Sequence, residues 1–183
     1  MMIREIRTSE RRYYQKVTDI YSECSVDYDK NSEVTLAFFK TVQNIMHYAV
    51  SGQTAAEIVY HRSDAERPHM GLTTWKNAPN GRVIKSDVTV AKNYLSEKEV
   101  EELNLLTTQY LDYAELQAKN HVLMTMSDWK RALNRFLEFN QLEVLIDKGT
   151  ISHQQAEEKA VAEYEKFRII QDREIMSDFD QQL

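Results

Sequence analysis

The scarcity and uneven placement of turn-forming residues most constrain how this chain can fold. Its 183 residues include only four glycines and two prolines. Three of those glycines, both prolines and one of the two tryptophans fall between Gly52 and Leu95. A β-sandwich needs turn residues about every 8–12 positions, so this composition disfavours it. We therefore expect helices outside this stretch and irregular structure within it.

Apolar side chains recur at helical spacing on both sides of that stretch. The strongest signal runs from 96 to 118, with an inner stripe at Val100, Leu103, Leu106, Thr107, Tyr110, Leu111 and Ala114. A further helix is predicted from Ser127 to a glycine cap at Gly149. The last predicted helix turns Ala156, Ala160, Tyr164, Phe167 and Ile170 inward.

Three capping boxes mark predicted helix starts. In a capping box, a hydroxyl and the Glu or Gln three residues later each accept from the other residue's backbone amide. They are Thr54 with Glu57, Ser96 with Glu99, and Ser152 with Gln155. Together these patterns predict an all-α fold, a bundle of about seven helices with one long irregular insert over residues 63–85. Within or beside the insert, a short β-hairpin at Asn80–Gly81 and a short helix from Ser86 are alternatives, and we favour the helix.

Length and composition indicate one globular domain spanning residues 1–183, with a frayed tail at 177–183. Hydrophobic residues make up 42% of the chain and charged residues 28%. There is a single cysteine, Cys24, and no apolar run approaches the ~18 residues of a membrane span. The first residues are charged from Arg4 onward. We therefore expect a cytoplasmic protein without a membrane segment or a disulfide.

The charge of the chain is acidic overall but not evenly distributed. The formal net charge is −6, whereas residues 61–92 hold six basic and three acidic side chains. An acidic protein is poorly suited to coating nucleic acid through its phosphates. The basic island at 61–92 can nevertheless hold one phosphate group, which makes it the place to look for a ligand.

Several motifs resemble those of a known family. They are Gly52-Gln-Thr-Ala-Ala-Glu-Ile58, Gly71-Leu-Thr-Thr-Trp-Lys76 and the stretch from Lys85 to Leu95. The opening Arg4–Arg12 and closing segments around Glu165–Arg168 extend the match. On these residues the chain resembles the RhuM family of bacterial virulence-associated proteins, over nearly its whole length.

The resemblance implies a helical domain without an established biochemical activity. Relatives are generally longer and carry an N-terminal part similar to a phage-type DNA-binding or antirepressor module. This chain is therefore expected to be an excised C-terminal domain, and any nucleic-acid binding is expected of the missing N-terminal part. Some relatives occur beside Fic-type domains, but of the Fic signature only Asn80-Gly81-Arg82 is present, so Fic-like chemistry is disfavoured.

The polar residues of the 47–92 stretch are the candidates for chemistry. Candidate catalytic groups are Glu57, Asp64 and His47, which supply carboxylates or an imidazole for acid–base work. Candidate phosphate-binding groups are Thr54, Arg62, Lys76 and Lys85, with Trp75 and Asp87 as further candidates. No metal or cofactor is expected, because no complete metal-ligand, Walker or dinucleotide motif occurs.

Two interpretations of these residues remain open. In the first, they form salt bridges that fix the insert to the helices, and the chain is a protein-interaction or oligomerisation module rather than an enzyme. In the second, they converge on a nucleotide or a nucleic-acid phosphate as a binding site or an enzyme. We favour the first, and expect a protein partner or self-association.

Overall fold

The structure is a computed structural model of the chain, and it describes residues 15, 19–22, 25–29 and 33–180. The side chains of 34–36, 38–39 and 175–180 fall outside this description. The described residues form five α-helices: α1 (Glu33–Ser51), α2 (Ala55–Arg62), α3 (Glu97–Lys119), α4 (Met126–Phe139) and α5 (His153–Asp180). Three 3₁₀ turns, Pro68–Gly71, Lys85–Asp87 and Ala91–Tyr94, lie between α2 and α3.

The predicted all-α class is confirmed for the described part of the chain, which contains no strand or sheet. Where the sequence favours a short helix from Ser86, residues 85–87 form a single 3₁₀ turn that ends at Asp87, and the alternative hairpin at Asn80–Gly81 does not form. The apolar spacing of residues 4–24 also predicts a helix. Most of that stretch lies outside the described residues, although 19–22 are helical. No described helix has the length and apolar character needed to cross a membrane.

Contacts divide the chain into two compact units. Unit 1 comprises Met1–Gly52 and Lys98–Ile146, and unit 2 comprises Gln53–Glu97 and Asp147–Leu183. Unit 1 holds α1, α4 and all but the first residue of α3, whereas unit 2 holds α2, the insert and α5. The single domain predicted from length stays a prediction. The frayed tail predicted at 177–183 also stays a prediction, because α5 extends to Asp180 and residues 181–183 are not described.

The core of unit 1 is aromatic. Trp129 is fully buried, its ring lies 4.8 Å from that of Tyr21, and its Nε1 donates a 2.8 Å hydrogen bond to Ser25 Oγ. The hydroxyls of Tyr21 and Tyr110 are 2.8 Å apart. Four residues of the stripe predicted on α3 are buried, namely Leu103, Leu106, Tyr110 and Ala114, whereas Val100, Thr107 and Leu111 are half-buried. Burial of such large rings is the main stabilising term of this unit.

The start of α4 differs by two residues from its prediction. Thr125 rather than Ser127 is the N-cap: its hydroxyl accepts from the Asp128 amide, and the Thr125 amide donates to the Asp128 carboxylate at 2.9 Å. Both Thr125 and Ser127 are good caps by type. Thr125 prevails because its partner three residues on is an aspartate, which completes the reciprocal box.

The end of α4 is also earlier than predicted. The helix stops at Phe139, and Asn140 closes it by donating its amide to the carbonyl of Phe136 at 3.1 Å. Gln141 then adopts a left-handed conformation with φ 59°. Residues 140–152 are therefore non-helical, and Gly149 caps no helix.

The core of unit 2 lies where α2 packs against α5. Ile58 and Val59 of α2 and Ala156, Ala160 and Phe167 of α5 are buried. The insert adds buried apolar side chains of its own, among them Met70, Leu72, Trp75 and Val83. The insert thus contributes buried side chains to the hydrophobic core of unit 2.

The inward face of α5 departs from its prediction at one point. Ile170 is 41% exposed, and the neighbouring Gln171 is buried in its place. The Gln171 amide accepts from the Val83 amide at 2.9 Å and donates to the Val83 carbonyl at 3.2 Å. Because a buried backbone without partners is costly, this pairing favours the glutamine at the inward position.

Candidate functional site

The first turn of α2 contains two candidate residues, Thr54 and Glu57, in the predicted capping box. The Thr54 amide donates to Glu57 Oε2 at 2.9 Å, and the Glu57 amide donates to the Thr54 hydroxyl at 3.3 Å. Thr54 is buried. The Thr54 and Glu57 amides are therefore occupied by each other's side chains, as a capping box requires.

The remaining carboxylate oxygen of Glu57 reaches the segment before α5. Glu57 Oε1 accepts from the Thr150 amide at 2.7 Å and from the Thr150 hydroxyl at 3.1 Å. Partial burial by itself would raise the pKa of Glu57, but hydrogen bonds from Thr150 and Thr54 outweigh it and hold the pKa below its usual value. At neutral pH this group is a stable carboxylate, which is the opposite of what a general acid needs.

Gly149 lies against this cluster, and a larger residue would not fit in its place. Its φ is +78°, and a Cβ there would lie 2.8 Å from both Glu57 Oε1 and Thr54 Cγ2. Glycine is needed at this position both for the left-handed backbone and for the close approach. The glycine predicted to cap α4 thus instead closes the hydrogen-bonded corner between α2 and α5.

Arg62, at the end of α2, donates hydrogen bonds to two uncharged groups. Its Nε donates to Gln53 Oε1 at 3.2 Å and its Nη1 donates to the Tyr94 carbonyl at 3.1 Å. A guanidinium has five donors, and these bonds orient it along the helix end and the last 3₁₀ turn. Arg62 therefore connects α2 to the segment leading into α3.

Asp64 braces the beginning of the insert. Its Oδ1 accepts from the Glu66 amide at 2.9 Å, and its Oδ2 lies 3.5 Å from Arg67 Nε. This is an Asx-type turn with a neighbouring ion pair, the usual use of an aspartate at the start of a loop. The ion pair is exposed to solvent, so its contribution to stability is small.

Trp75 is buried and anchors the middle of the insert. Its Nε1 donates a 2.7 Å hydrogen bond to the Gly81 carbonyl, and the ring of His69 stacks on it at 4.4 Å between centroids. His69, Met70 and Gly71 all have left-handed φ values, of 52°, 61° and 83°. For the two non-glycine residues this backbone is strained, and the burial of Met70 and the ring stacking offset that strain.

Asp87 is the hydrogen-bonding centre of the insert. It is only 3% exposed, and its two carboxylate oxygens accept from the amides of Lys76 at 3.0 Å and Ile84 at 2.9 Å. Its main-chain carbonyl accepts from Asn93 Nδ2 at 2.9 Å. The pKa of the nearby Tyr94 hydroxyl is raised by burial and then by the negative charge of Asp87, so this phenol stays protonated and donates to the Val88 carbonyl.

Lys76 and Lys85 are placed differently from the other candidates. Both side chains are exposed, and neither makes an ion pair with a side chain in the described part of the chain. Arg82, between them in sequence, pairs with Asp172 of α5. The two lysines are thus the candidates whose charged groups point to solvent.

His47 belongs to unit 1 and is described apart from the other candidates. It is buried on α1, with Nδ1 2.7 Å from the Gln43 carbonyl, a distance at which the ring N–H donates to that oxygen. Such a bond between a helical side chain and the carbonyl one turn earlier fixes the tautomer of the imidazole.

Direct hydrogen bonds join Thr54 to Glu57 and the main chain of Lys76 to Asp87. The remaining hydrogen bonds and ion pairs of the candidate residues go to main-chain groups or to side chains that are not candidates. In residues 15, 19–22, 25–29 and 33–180, no three His, Cys, Asp or Glu side chains are grouped as ligands of a metal ion. The phosphate-binding and catalytic assignments stay predictions.

The side chains of α5 that bind the backbone at the start of the insert were not predicted from the sequence. Glu163 Oε2 accepts from the Ala65 amide at 2.8 Å. This hydrogen bond and, after it, the nearby Lys166 lower the pKa of Glu163. Lys159 donates its ammonium to the Ser63 carbonyl and lies over the Tyr60 ring at 5.7 Å. The signal was indirect: an insert with few regular hydrogen bonds must have its backbone groups satisfied by side chains elsewhere.

The comparisons with known proteins give one match. No curated protein and no solved structure matches the chain. A family model, described as the virulence protein RhuM family, matches residues 1–176, which is almost the whole sequence. The chain therefore belongs to the virulence protein RhuM family.

Proposed function

We propose that the chain is a helical protein-interaction module rather than an enzyme, and that unit 1 supplies the contact surface. The observation that carries the proposal is the outward placement of large apolar side chains on two helices of this unit. Leu105 and Leu116 of α3 are 63% and 54% exposed, and Phe139 at the end of α4 is 87% exposed.

These three side chains contribute little to the fold of unit 1 because they are mostly in water. Covering such a side chain with a partner is worth about 1.5–3 kcal/mol each by area. Single exposed apolar residues are ordinary on protein surfaces. Leu105 and Leu116 differ from that background because they are eleven residues, or three helical turns, apart on one face of α3.

The internal hydrogen bonds of the polar candidate residues in unit 2 also support the proposal. Thr54, Glu57 and Asp87 direct their polar atoms to amides of their own unit. An acid–base group must reach a substrate proton, and a phosphate ligand must be offered free donors. Side chains whose hydrogen-bonding capacity is used inside the fold are better explained as braces.

Site-specific photo-crosslinking tests the proposal. A photoreactive benzoylphenylalanine replaces Phe139 or Leu116 in the full chain, and irradiation in bacterial cells is followed by mass spectrometry of any adduct. The matched control places the same residue at Lys76, which is also exposed but lies on unit 2. We expect a discrete protein adduct at Phe139 and Leu116 and none at Lys76. The absence of an adduct at both unit 1 positions would contradict the proposal.

A second candidate function is binding of a nucleotide or a nucleic-acid phosphate at the 47–92 stretch. The observation in its favour is that the ammonium groups of Lys76 and Lys85 are exposed and have no ion-pair partner among the described side chains. In an enzymatic version, Glu57 or Asp64 would hold a metal ion or take a proton. Partial exposure of both carboxylates is compatible with that role, although their present contacts are internal.

A thermal-shift panel separates the two candidates. Nucleotides with Mg²⁺ or Mn²⁺, short DNA and short RNA are each added to the wild type and to Lys76→Ala and Lys85→Ala. A ligand at a hundredfold excess over its Kd stabilises the folded state by about 2.7 kcal/mol. A shift lost in both variants would establish the phosphate site. No shift with any ligand would remove this candidate and leave the interaction module.

A further inference from the structure

We infer that unit 1 binds an extended, basic segment of another protein, which adds as a β-strand to residues 142–146. The inference rests on the proposed function and identifies the class of partner. Residues 142–146 follow the end of α4 at Phe139 after a two-residue turn, so they adjoin a side chain of the surface proposed for contact. Their backbone, their side chains and their charge each indicate this class of partner.

The backbone of residues 142–146 is straight and unpaired. It contains no helix, turn or bend over these five residues. The Leu142 amide donates to the Leu137 carbonyl at 3.0 Å, and the next amide that donates within the chain is that of Gly149. In the part of the chain that the structure describes, the six amides of 143–148 and the carbonyls of 142–148 form no hydrogen bond with protein atoms. A row of unpaired donors and acceptors is what an added strand pairs with.

The insert shows the opposite treatment of irregular backbone in the same chain. There the buried Asp87 binds two backbone amides, and Gln171 and Glu163 of α5 bind one each. No described side chain does this for the amides of 143–146. Unpaired backbone is stable only where water or another chain can reach it, so residues 142–146 are open to a partner.

The side chains of this segment suit a strand. Four of the five are apolar, and Val144 and Ile146 are β-branched, which favours extended backbone. Ile146 is 98% exposed, and Leu142, Val144 and Leu145 are half-buried. On extended backbone, Leu142, Val144 and Ile146 lie on one side. An added strand of five residues, about 17 Å long, covers that side with every second side chain.

Charge distinguishes another protein from a second copy of the chain. Glu143 is the only charged residue of 142–146, is exposed, and forms no ion pair in the described part of the chain. The same segment of a second copy contains no basic residue and cannot neutralise it. A lysine or arginine opposite Glu143 does so, and the net charge of −6 favours a basic partner over a second acidic copy.

A synthetic peptide with hydrogen–deuterium exchange tests the inference. The probe is a nine-residue peptide that alternates valine and lysine and has blocked ends, and it is added to the full chain. We expect a Kd below about 1 mM from fluorescence anisotropy of the labelled probe. Without the probe, the amides of 143–148 should exchange at nearly the rate of an unfolded chain, and saturating probe should slow them about tenfold or more.

A methylated peptide is the matched control for the probe. It has the same sequence with a methyl group on every backbone nitrogen, so it keeps the side chains and charge but cannot donate main-chain hydrogen bonds. We expect it neither to bind nor to slow exchange, because strand addition depends on those bonds. Equal binding of the two peptides would show that side chains alone make the contact and would overturn the inference.

Glu143→Lys tests the charge, with Glu101→Lys as its control. Glu101 is exposed on α3, outside the segment, so both variants make the same change in net charge at an exposed position. We expect Glu143→Lys to raise the Kd of the probe about fivefold and Glu101→Lys to change it less than about twofold. Thermal unfolding of both should match the wild type. Equal effects on binding would show that net charge, and not Glu143, attracts the peptide.

The remaining outcomes separate the inference from the proposed function. Slower exchange of 143–148 when the protein alone is concentrated would identify a second copy as the occupant and overturn the inference. Crosslinks from Phe139 or Leu116 to another protein, without protection of 143–148 by about 1 mM probe, would overturn the strand and leave the interaction module intact. Absence of both crosslinks and protection would contradict the inference and the proposed function together.

Discussion

Unit 1 and the insert of unit 2 use their side chains in opposite ways. Unit 1 buries an aromatic core and leaves leucines and a phenylalanine facing solvent. The insert buries apolar residues of its own, and Asp87 beside it directs its buried carboxylate onto backbone amides. The unusual composition of the 52–95 stretch is therefore explained by the need to stabilise irregular backbone, whereas the helices of unit 1 leave large apolar side chains exposed on the surface that we propose for contact.

The largest expected loss of stability comes from truncating the core of unit 1. Trp129→Ala removes a fully buried ring and leaves Ser25 Oγ without its donor. We expect the free energy of unfolding to fall by about 3–5 kcal/mol, measured by urea denaturation. Phe139→Ala is the control, and a change within about 0.5 kcal/mol is expected because that ring is in water. A comparable loss for both would show that the outward side chains belong to the core.

Gly71→Ala is expected to be next in size and tests the packing of the insert. A Cβ at Gly71 would lie 2.3 Å from the Arg62 carbonyl oxygen, and the φ of +83° is unfavourable for alanine. We expect a loss of about 2–4 kcal/mol by urea denaturation.

Gly52→Ala separates the two causes of that loss. Gly52 also has a positive φ, of +69°, but a Cβ there would meet nothing within 4 Å. Only the cost of the left-handed backbone remains, so we expect about 1 kcal/mol. Equal effects at Gly52 and Gly71 would mean that the insert is not packed against the end of α2.

Asp87→Asn tests whether Asp87 is a brace. The amide group of asparagine would present a donor to one of the two amides, Lys76 or Ile84, that now donate to the carboxylate. A buried donor without an acceptor costs about 1–3 kcal/mol, which is the expected loss. Asp64→Asn is the comparison: Asp64 is in an ion pair exposed to solvent, so this substitution should lower the free energy of unfolding by less than about 0.5 kcal/mol. If Asp87→Asn were neutral, the carboxylate would be free for another role.

Glu57→Gln gives the smallest effect and a pH signature. The pKa of Glu57 is lowered in the folded state, chiefly because hydrogen bonds from Thr150 and Thr54 outweigh the effect of burial. A lowered pKa contributes stability above the unfolded pKa of about 4.3, and that contribution is lost as the pH falls through the folded value.

The expected result is a loss of about 1 kcal/mol for Glu57→Gln at pH 7 that diminishes below about pH 4. The measurement is urea denaturation at several pH values for the wild type and the variant. Glu158→Gln, on the exposed face of α5, is the control and should follow the wild type at every pH. A difference for Glu57→Gln that grows toward acid pH would have the wrong sign for a lowered pKa.

The helices and their capping boxes could be predicted from sequence because their determinants are local. Periodicity placed Leu103, Leu106 and Tyr110 inward, and the boxes at Thr54 and Ser152 form as expected. The end of α4 could not be predicted, because apolar residues after Phe139 continue a helical pattern while Gln141 takes a left-handed conformation that its type does not indicate.

The contacts of the insert could not be predicted because their partners are distant in sequence. Gln171 pairs with Val83 across 88 residues, and Glu163 with Ala65 across 98. The irregular backbone of the insert could thus be predicted from its glycines and prolines, whereas the roles of its polar residues stay predictions. Whether those residues face a ligand or each other's backbone depends on the tertiary fold, which periodicity does not encode.

Hydrogen–deuterium exchange most directly tests the contrast between the two regions. Exchange is followed in dilute and concentrated protein, and with nucleotide and Mg²⁺, for peptides covering residues 63–95 and peptides covering α3 and α4. The expected result is that the exchange of 63–95 is unchanged under every condition, because its polar groups bind the backbone of its own unit. Slower exchange of 63–95 on adding nucleotide, with α3 and α4 unaffected at any concentration, would contradict it.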